Sequence, residues 1–120
     1  MDNIRTIVFY EQYFLDFYKS VNLKVQEKIK FVLRILEKQS IVPVKYVKHI
    51  ENSDGIYEIR VSVGNDEYRI LFFFESLSLV EGGKVVIVGN GFIKKDKKDY
   101  RKAVEIAEEI KKNYFKEKNL

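Results

Sequence analysis

The chain has no cysteine, no tryptophan, one proline and one histidine among its 120 residues. Without cysteine there are no disulfides, no thiolate zinc sites and no thiol nucleophile. With His49 as its only histidine, it has neither a multi-histidine metal site nor a nuclease built on a histidine pair. No run approaches the roughly 18–20 apolar residues needed to cross a bilayer. The opening MDNIRTIVFY lacks the long apolar core of a secretion signal. A soluble cytoplasmic protein without membrane association is expected. One proline and six glycines leave little material for linkers.

What remains suits a single domain over 1–120. The hydrophobic content of 46% can fill a sizeable core, and the net charge of +4 is unevenly spread. Six of the nine residues in 94–102 are Lys or Arg. A first strand is expected near 4–10 and a short aromatic-rich helix over 11–20. Asn22 caps a second helix that runs to about 39. In it Val25, Ile29, Leu33 and Leu36 form one apolar stripe. Pro43 falls in an extended connector, and Asn52-Ser53-Asp54-Gly55 is a turn signal. Strands follow over 56–63 and 67–75, around Gly64-Asn65-Asp66. Glu81-Gly82-Gly83 marks another turn, before a strand over 84–92. From about Asp99 a last helix carries Ala103, Ile106, Ala107, Ile110 and Tyr114 on one face. The order β-α-α-β-β-β-α predicts an α+β fold, a mainly antiparallel sheet with helices packed on its apolar face.

Alternation sharpens the picture. Tyr57, Ile59, Val61 and Val63 share one face of their strand. Glu58, Arg60 and Ser62 share the other. In the next strand Tyr68, Ile70, Phe72 and Phe74 form the apolar set. Arg69 lies opposite them with Glu67, Leu71, Phe73 and Glu75. If both apolar sets face the core, Arg60 and Arg69 emerge on the same side. A connecting loop of two or four residues gives that register, and one of three does not. Two readings stay open. Glu58, Glu67 and Glu75 neutralise the arginines in a solvated ion network, or the arginines form a site for anionic oxygens, which a guanidinium grips through two donors.

Lys94, Lys95, Lys97 and Lys98 are either a wet surface or part of the same site. Positive charge is unfavourable at the start of the helix they precede, and a bound phosphate would relieve that cost. His49, in Lys45-Tyr46-Val47-Lys48-His49, has a packing or surface role. Gly89-Asn90-Gly91 lacks the spacing of a nucleotide loop and marks a kink or close packing. Among the aromatics, Phe73 and Phe92 are the candidates for stacking on a base, because alternation sets them with Arg69 and with Lys94 respectively.

The segments KHIENSDGIYEIRV, YRILFFFE and VVIVGNGFIKK, between an opening strand with two helices and a terminal helix, resemble the RelE/ParE superfamily of bacterial toxins. The closer resemblance is to its HigB-type, phage-derived branch, as a single toxin domain. It implies an mRNA endoribonuclease that acts on the ribosome and inhibits translation. It also implies a small antitoxin partner, often of helix-turn-helix type, and neither metal nor other cofactor. By position Arg60, Arg69, Lys94 and Lys95 match the family's basic site residues, and Lys97, Lys98, Phe92 and Phe73 are expected to bind RNA. Glu58 and Tyr100 are the candidates for proton transfer. The chain departs from the family where Lys95-Asp96-Lys97-Lys98 replaces a threonine- and proline-containing stretch, and where Asn90-Gly91 precedes Phe92. Two rivals share the fold: a gyrase inhibitor, and a catalytically silent antitoxin-binding module.

Overall fold

The computed structural model describes residues 3–76 and 83–118. The elements are β1 (Thr6–Phe9), α1 (Tyr13–Ser20), α2 (Leu23–Lys38), β2 (Val47–His49), β3 (Tyr57–Val63), β4 (Asp66–Phe74), β5 (Val85–Ile93) and α3 (Lys97–Lys118). The fold is α+β as expected, with one strand more than the sequence suggested. The extra strand, β2, arises because Pro43 opens a turn and not an extended connector. Its carbonyl accepts from the amides of Tyr46 and Val47 at 2.9 and 3.1 Å. That turn swings Val47–His49 against β3. The five strands lie in the order β1-β5-β4-β3-β2, with β1 parallel to β5 and every other pair antiparallel. Asn22 caps α2 as predicted, its side chain accepting from the Val25 amide at 3.0 Å. Of the turn expected at 81–83, Glu81 and Gly82 lie outside the described residues.

Helices cover both faces of the sheet. Helices α1 and α2 pack on one face, where Phe14, Val25, Ile29 and Leu36 meet Ile59, Ile70, Phe72 and Val88. Helix α3 packs on the other, laying Ala103, Ala107, Ile110 and Tyr114 over Leu71, Phe73 and Ile87. The sequence placed all helices on a single apolar side. The reason for the difference is visible in β4, whose arginine-bearing face continues into Leu71 and Phe73. A strand with apolar residues on both faces needs cover on both. Phe73 is therefore core at 1% exposure, not a platform for a base. Ile106, expected on the buried side of α3, is 41% exposed.

Two local devices set the register. Val63 pairs with Asp66, so the hairpin loop is Gly64-Asn65 alone, with Gly64 at φ 62°. Glycine at the first central position suits a type II′ turn. This even loop places Arg60 directly opposite Arg69. Between β4 and β5 the pairing slips by one residue, from Ile70↔Gly91 to Phe72↔Val88. The bulge sends Asn90 as well as Phe92 to the α3 side, and Asn90 Nδ2 donates to the Ala103 carbonyl at 3.1 Å. Gly91 faces α1 instead, where a Cβ would come within 2.6 Å of Phe17 Cγ.

Arg5, which no sequence pattern singled out, is 2% exposed. Its guanidinium reaches the carbonyls of Leu36, Gln39 and Ser40 at the end of α2, and that of Gly83 before β5. No described helix is long and apolar enough to cross a membrane.

Candidate functional site

A groove of about 760 Å³ runs between the β2–β3 edge of the sheet and the first three turns of α3. Lys48, Glu58, Arg60, Lys94, Lys95, Lys97, Tyr100 and Arg101 line it at the end where α3 begins. Glu105, Glu108 and Glu51 line it further along. The groove is thus polarised, cationic where β5 runs into α3 and acidic at its far end.

Glu58 stands on the groove floor at 4% exposure. The cross-strand pairing puts it between Lys48 on β2 and Leu71 on β4. Its carboxylate is 3.4 Å from Arg60 Nε and 3.6 Å from Arg69 Nε. It also accepts from the Tyr100 hydroxyl. The two arginines have different surroundings. Arg60 keeps 30% of its side chain exposed and donates to the Val44 carbonyl at 3.3 Å. Arg69 is 2% exposed, donating from Nη1 to the Tyr68 carbonyl and from both terminal nitrogens to Glu67 at 3.2 Å. Its Nε is buried without a hydrogen-bond partner. Arg69 therefore lies beneath the groove and does not line it. The expected emergence of both arginines on one side holds, but only Arg60 meets solvent.

Glu67, held by the Ser62 hydroxyl and by Arg69 and Lys94, titrates below the usual carboxylate range. Glu75, expected in the same ion network, instead accepts from Tyr114. Burial first, and then the Glu58 carboxylate, pushes the Tyr100 phenol well above its ordinary value. Tyr100 is a neutral donor at physiological pH. The Phe92 ring meets Tyr100 edge to face at 5.7 Å, and Lys94 Nζ stands 5.6 Å over the Tyr100 ring. The Lys94 amide donates to the Glu67 carbonyl at 2.8 Å.

Lys95, Lys97 and Lys98 are exposed, and Lys98 does not line the groove. The start of α3 needs no outside anion, because Asp96 accepts from the Asp99 amide at 2.8 Å and caps the helix. His49 is a strand residue, edge-on to Tyr57 at 5.0 Å. Among the described residues no group of three His, Asp or Glu side chains offers a metal site.

Sequence reading missed Lys48 and Arg101. Lys48 gave no signal, since its place follows from the unforeseen β2. Arg101 lay in the basic run and shares a helix face with Lys97 and Val104, a spacing that could have found it.

The arrangement sets a cationic wall beside a buried carboxylate and a tyrosine hydroxyl. Residues 16–112, from within α1 to within α3, match the model of a family described as phage-derived protein Gp49-like (DUF891). No curated protein matches the chain, and no solved structure does.

Proposed function

Since the chain belongs to the phage-derived Gp49-like family, a RelE/toxin-like family, we propose that it is the toxin of a toxin–antitoxin pair, of the HigB type. In this reading it is a single toxin domain that cuts mRNA on the ribosome without a metal and so inhibits translation. The observation that supports the reading best is the groove itself. Arg60, Lys48, Lys94, Lys95, Lys97 and Arg101 surround the buried Glu58 and the half-buried Tyr100.

The chemistry is an internal transfer at phosphorus. The ribose 2′-oxygen attacks the adjacent phosphate, its proton leaves to a base, and the 5′-oxygen departs with a proton, giving a 2′,3′-cyclic phosphate. Glu58 is the acceptor nearest the cationic wall. Tyr100, its hydroxyl turned from Glu58 to the departing 5′-oxygen, donates the proton that oxygen takes. Arg60 and Lys95 hold the phosphate as its negative charge grows, the kind of electrostatic term that is often the largest in such a site. Lys94 and Lys97 hold the backbone, and Phe92 closes the wall behind Tyr100. Arg69 acts as a positioning residue, because it fixes Glu58 and Glu67 from below. The partner is an antitoxin, of helix-turn-helix type, that covers the groove.

Purified protein added to translating ribosomes tests this. Arg60→Ala and Lys95→Ala should each slow mRNA cleavage by on the order of 100-fold at unchanged melting temperature. Folded variants that cut as fast as the parent would remove the mechanism. The silent-module reading has one observation in its favour, since the Glu58 carboxylate is already engaged by Arg60, Arg69 and Tyr100. Expression without growth arrest and without cleavage would select it. Loss of gyrase supercoiling with intact mRNA would select the gyrase reading.

A further inference from the structure

A second, smaller cleft of about 290 Å³ lies at the other side of the β3 edge, between α2 and the turn that leads into β2. Lys28, Phe31, Lys45, Tyr46, Arg60 and Ser62 line it, with Val32 and Val61 behind them. Arg60 borders both this cleft and the large groove. The cleft contains three cations and no carboxylate. Its floor is aromatic. Phe31 is 51% exposed and meets Tyr46 edge to face at 5.8 Å.

The exposed ring has no structural explanation. The apolar stripe of α2 is buried through Val25, Ile29, Val32, Ile35 and Leu36, and Phe31 stands off that stripe. A lone exposed phenylalanine is ordinary, but this one sits amid fixed cations. Lys28 Nζ donates to the Ser62 carbonyl at 2.8 Å, which draws it to the mouth of the cleft. Lys45 Nζ lies 4.9 Å over the Tyr46 ring. Arg60 is held across the turn by its bond to the Val44 carbonyl. Strand β3 pairs with β2 through Ile59 and its Arg60 amide still donates to the Tyr46 carbonyl at 2.7 Å, but beyond Arg60 no described strand covers this edge.

We propose that this cleft is a nucleotide subsite that extends the RNA track of the main groove. One unpaired base stacks on Phe31, and Lys28, Lys45 and Arg60 hold the phosphates on either side of it. Arg60 is the shared post around which the strand passes from one cleft to the other. A stacking ring beside a cationic track is how single strands are held without base pairing. Charge favours this occupant, since an anion meets no opposing carboxylate here, whereas the main groove has three glutamates towards its far end. The inference rests on the proposal that RNA occupies the main groove.

The test uses the whole chain and two labelled 2′-O-methyl RNAs that cannot be cut, a trinucleotide and an octanucleotide, followed by fluorescence anisotropy. Phe31→Ala should weaken octanucleotide binding roughly 10-fold and leave the trinucleotide, which fills only the main groove, unaffected. Lys28→Gln and Lys45→Gln should each lower the salt dependence of octanucleotide binding by about 0.7 in log–log slope. Equal octanucleotide affinity in parent and variants overturns the subsite. If Lys94→Gln with Lys95→Gln still abolishes binding in that case, the main-groove proposal survives alone. Binding of neither RNA by the parent overturns both. Should a glutamate–leucine peptide bind the parent in a Phe31-dependent way that the octanucleotide does not compete, the cleft docks protein and the RNA assignment falls.

Discussion

Arg5 shows how much a single side chain can hold in place. Buried at 2% exposure, it donates to four carbonyls that belong to the end of α2 and the approach to β5. Positive charge at a helix C-terminus is favourable, and losing it would leave several carbonyls dry and unpaired. Arg5→Met should cost about 3–5 kcal/mol in urea unfolding, and a loss under about 1 kcal/mol would mean that water replaces the guanidinium. Nothing in the sequence announces this role, because its partners are backbone oxygens and carry no residue signature. Arg60 and Arg69 were legible, because strand alternation and loop parity alone place them. Their unequal burial was not, since it depends on where α3 comes to rest. Tyr114 carries a pH signature. Burial, and then its bond to Glu75, pushes its phenol up to about 12 from an ordinary value of 10.0. In that window the unfolded chain sheds the proton and the native chain keeps it, so stability is intact below pH ~10 and declines as pH rises towards about 12. Tyr100 acts in the same direction. Tyr114→Phe should flatten the alkaline decline in melting temperature, and an unchanged slope would show that the phenol titrates normally.

Among the elements, β5 is the one whose shape the site depends on. Without its bulge, strict alternation would carry Phe92 to the α1 face and away from Tyr100. The glycine-rich Gly89-Asn90-Gly91 was read as a kink or close approach, and it is both. Gly91→Ala would drive a methyl group into the Phe17 ring. Overpacking of this kind costs about 1–3 kcal/mol, measurable as a drop in melting temperature that Phe17→Leu should partly restore. If the single substitution is neutral, α1 yields more easily than its packing suggests. The three-residue β2 escaped the sequence because it has no period of its own. It is a strand only through its pairing with β3. The position of α3 was half legible, since its apolar face was readable but the sheet face that it meets was not. Leu71 and Phe73 were the clue, as apolar residues on the arginine side of β4.

As a whole molecule, the protein gathers its candidate site from distant stretches of chain: Lys48 on β2, Glu58 and Arg60 on β3, Lys94 and Lys95 after β5, Tyr100 and Arg101 on α3. The parallel pairing of β1 with β5 adds a second long closure, from Thr6 to Val85. Contacts between distant segments form late, because loop entropy must be met first. During translation β1 therefore waits without a strand partner until β5 has left the exit tunnel. Chains stalled before β5 has emerged should be bound by chaperones, and emergence of β5 should start compaction.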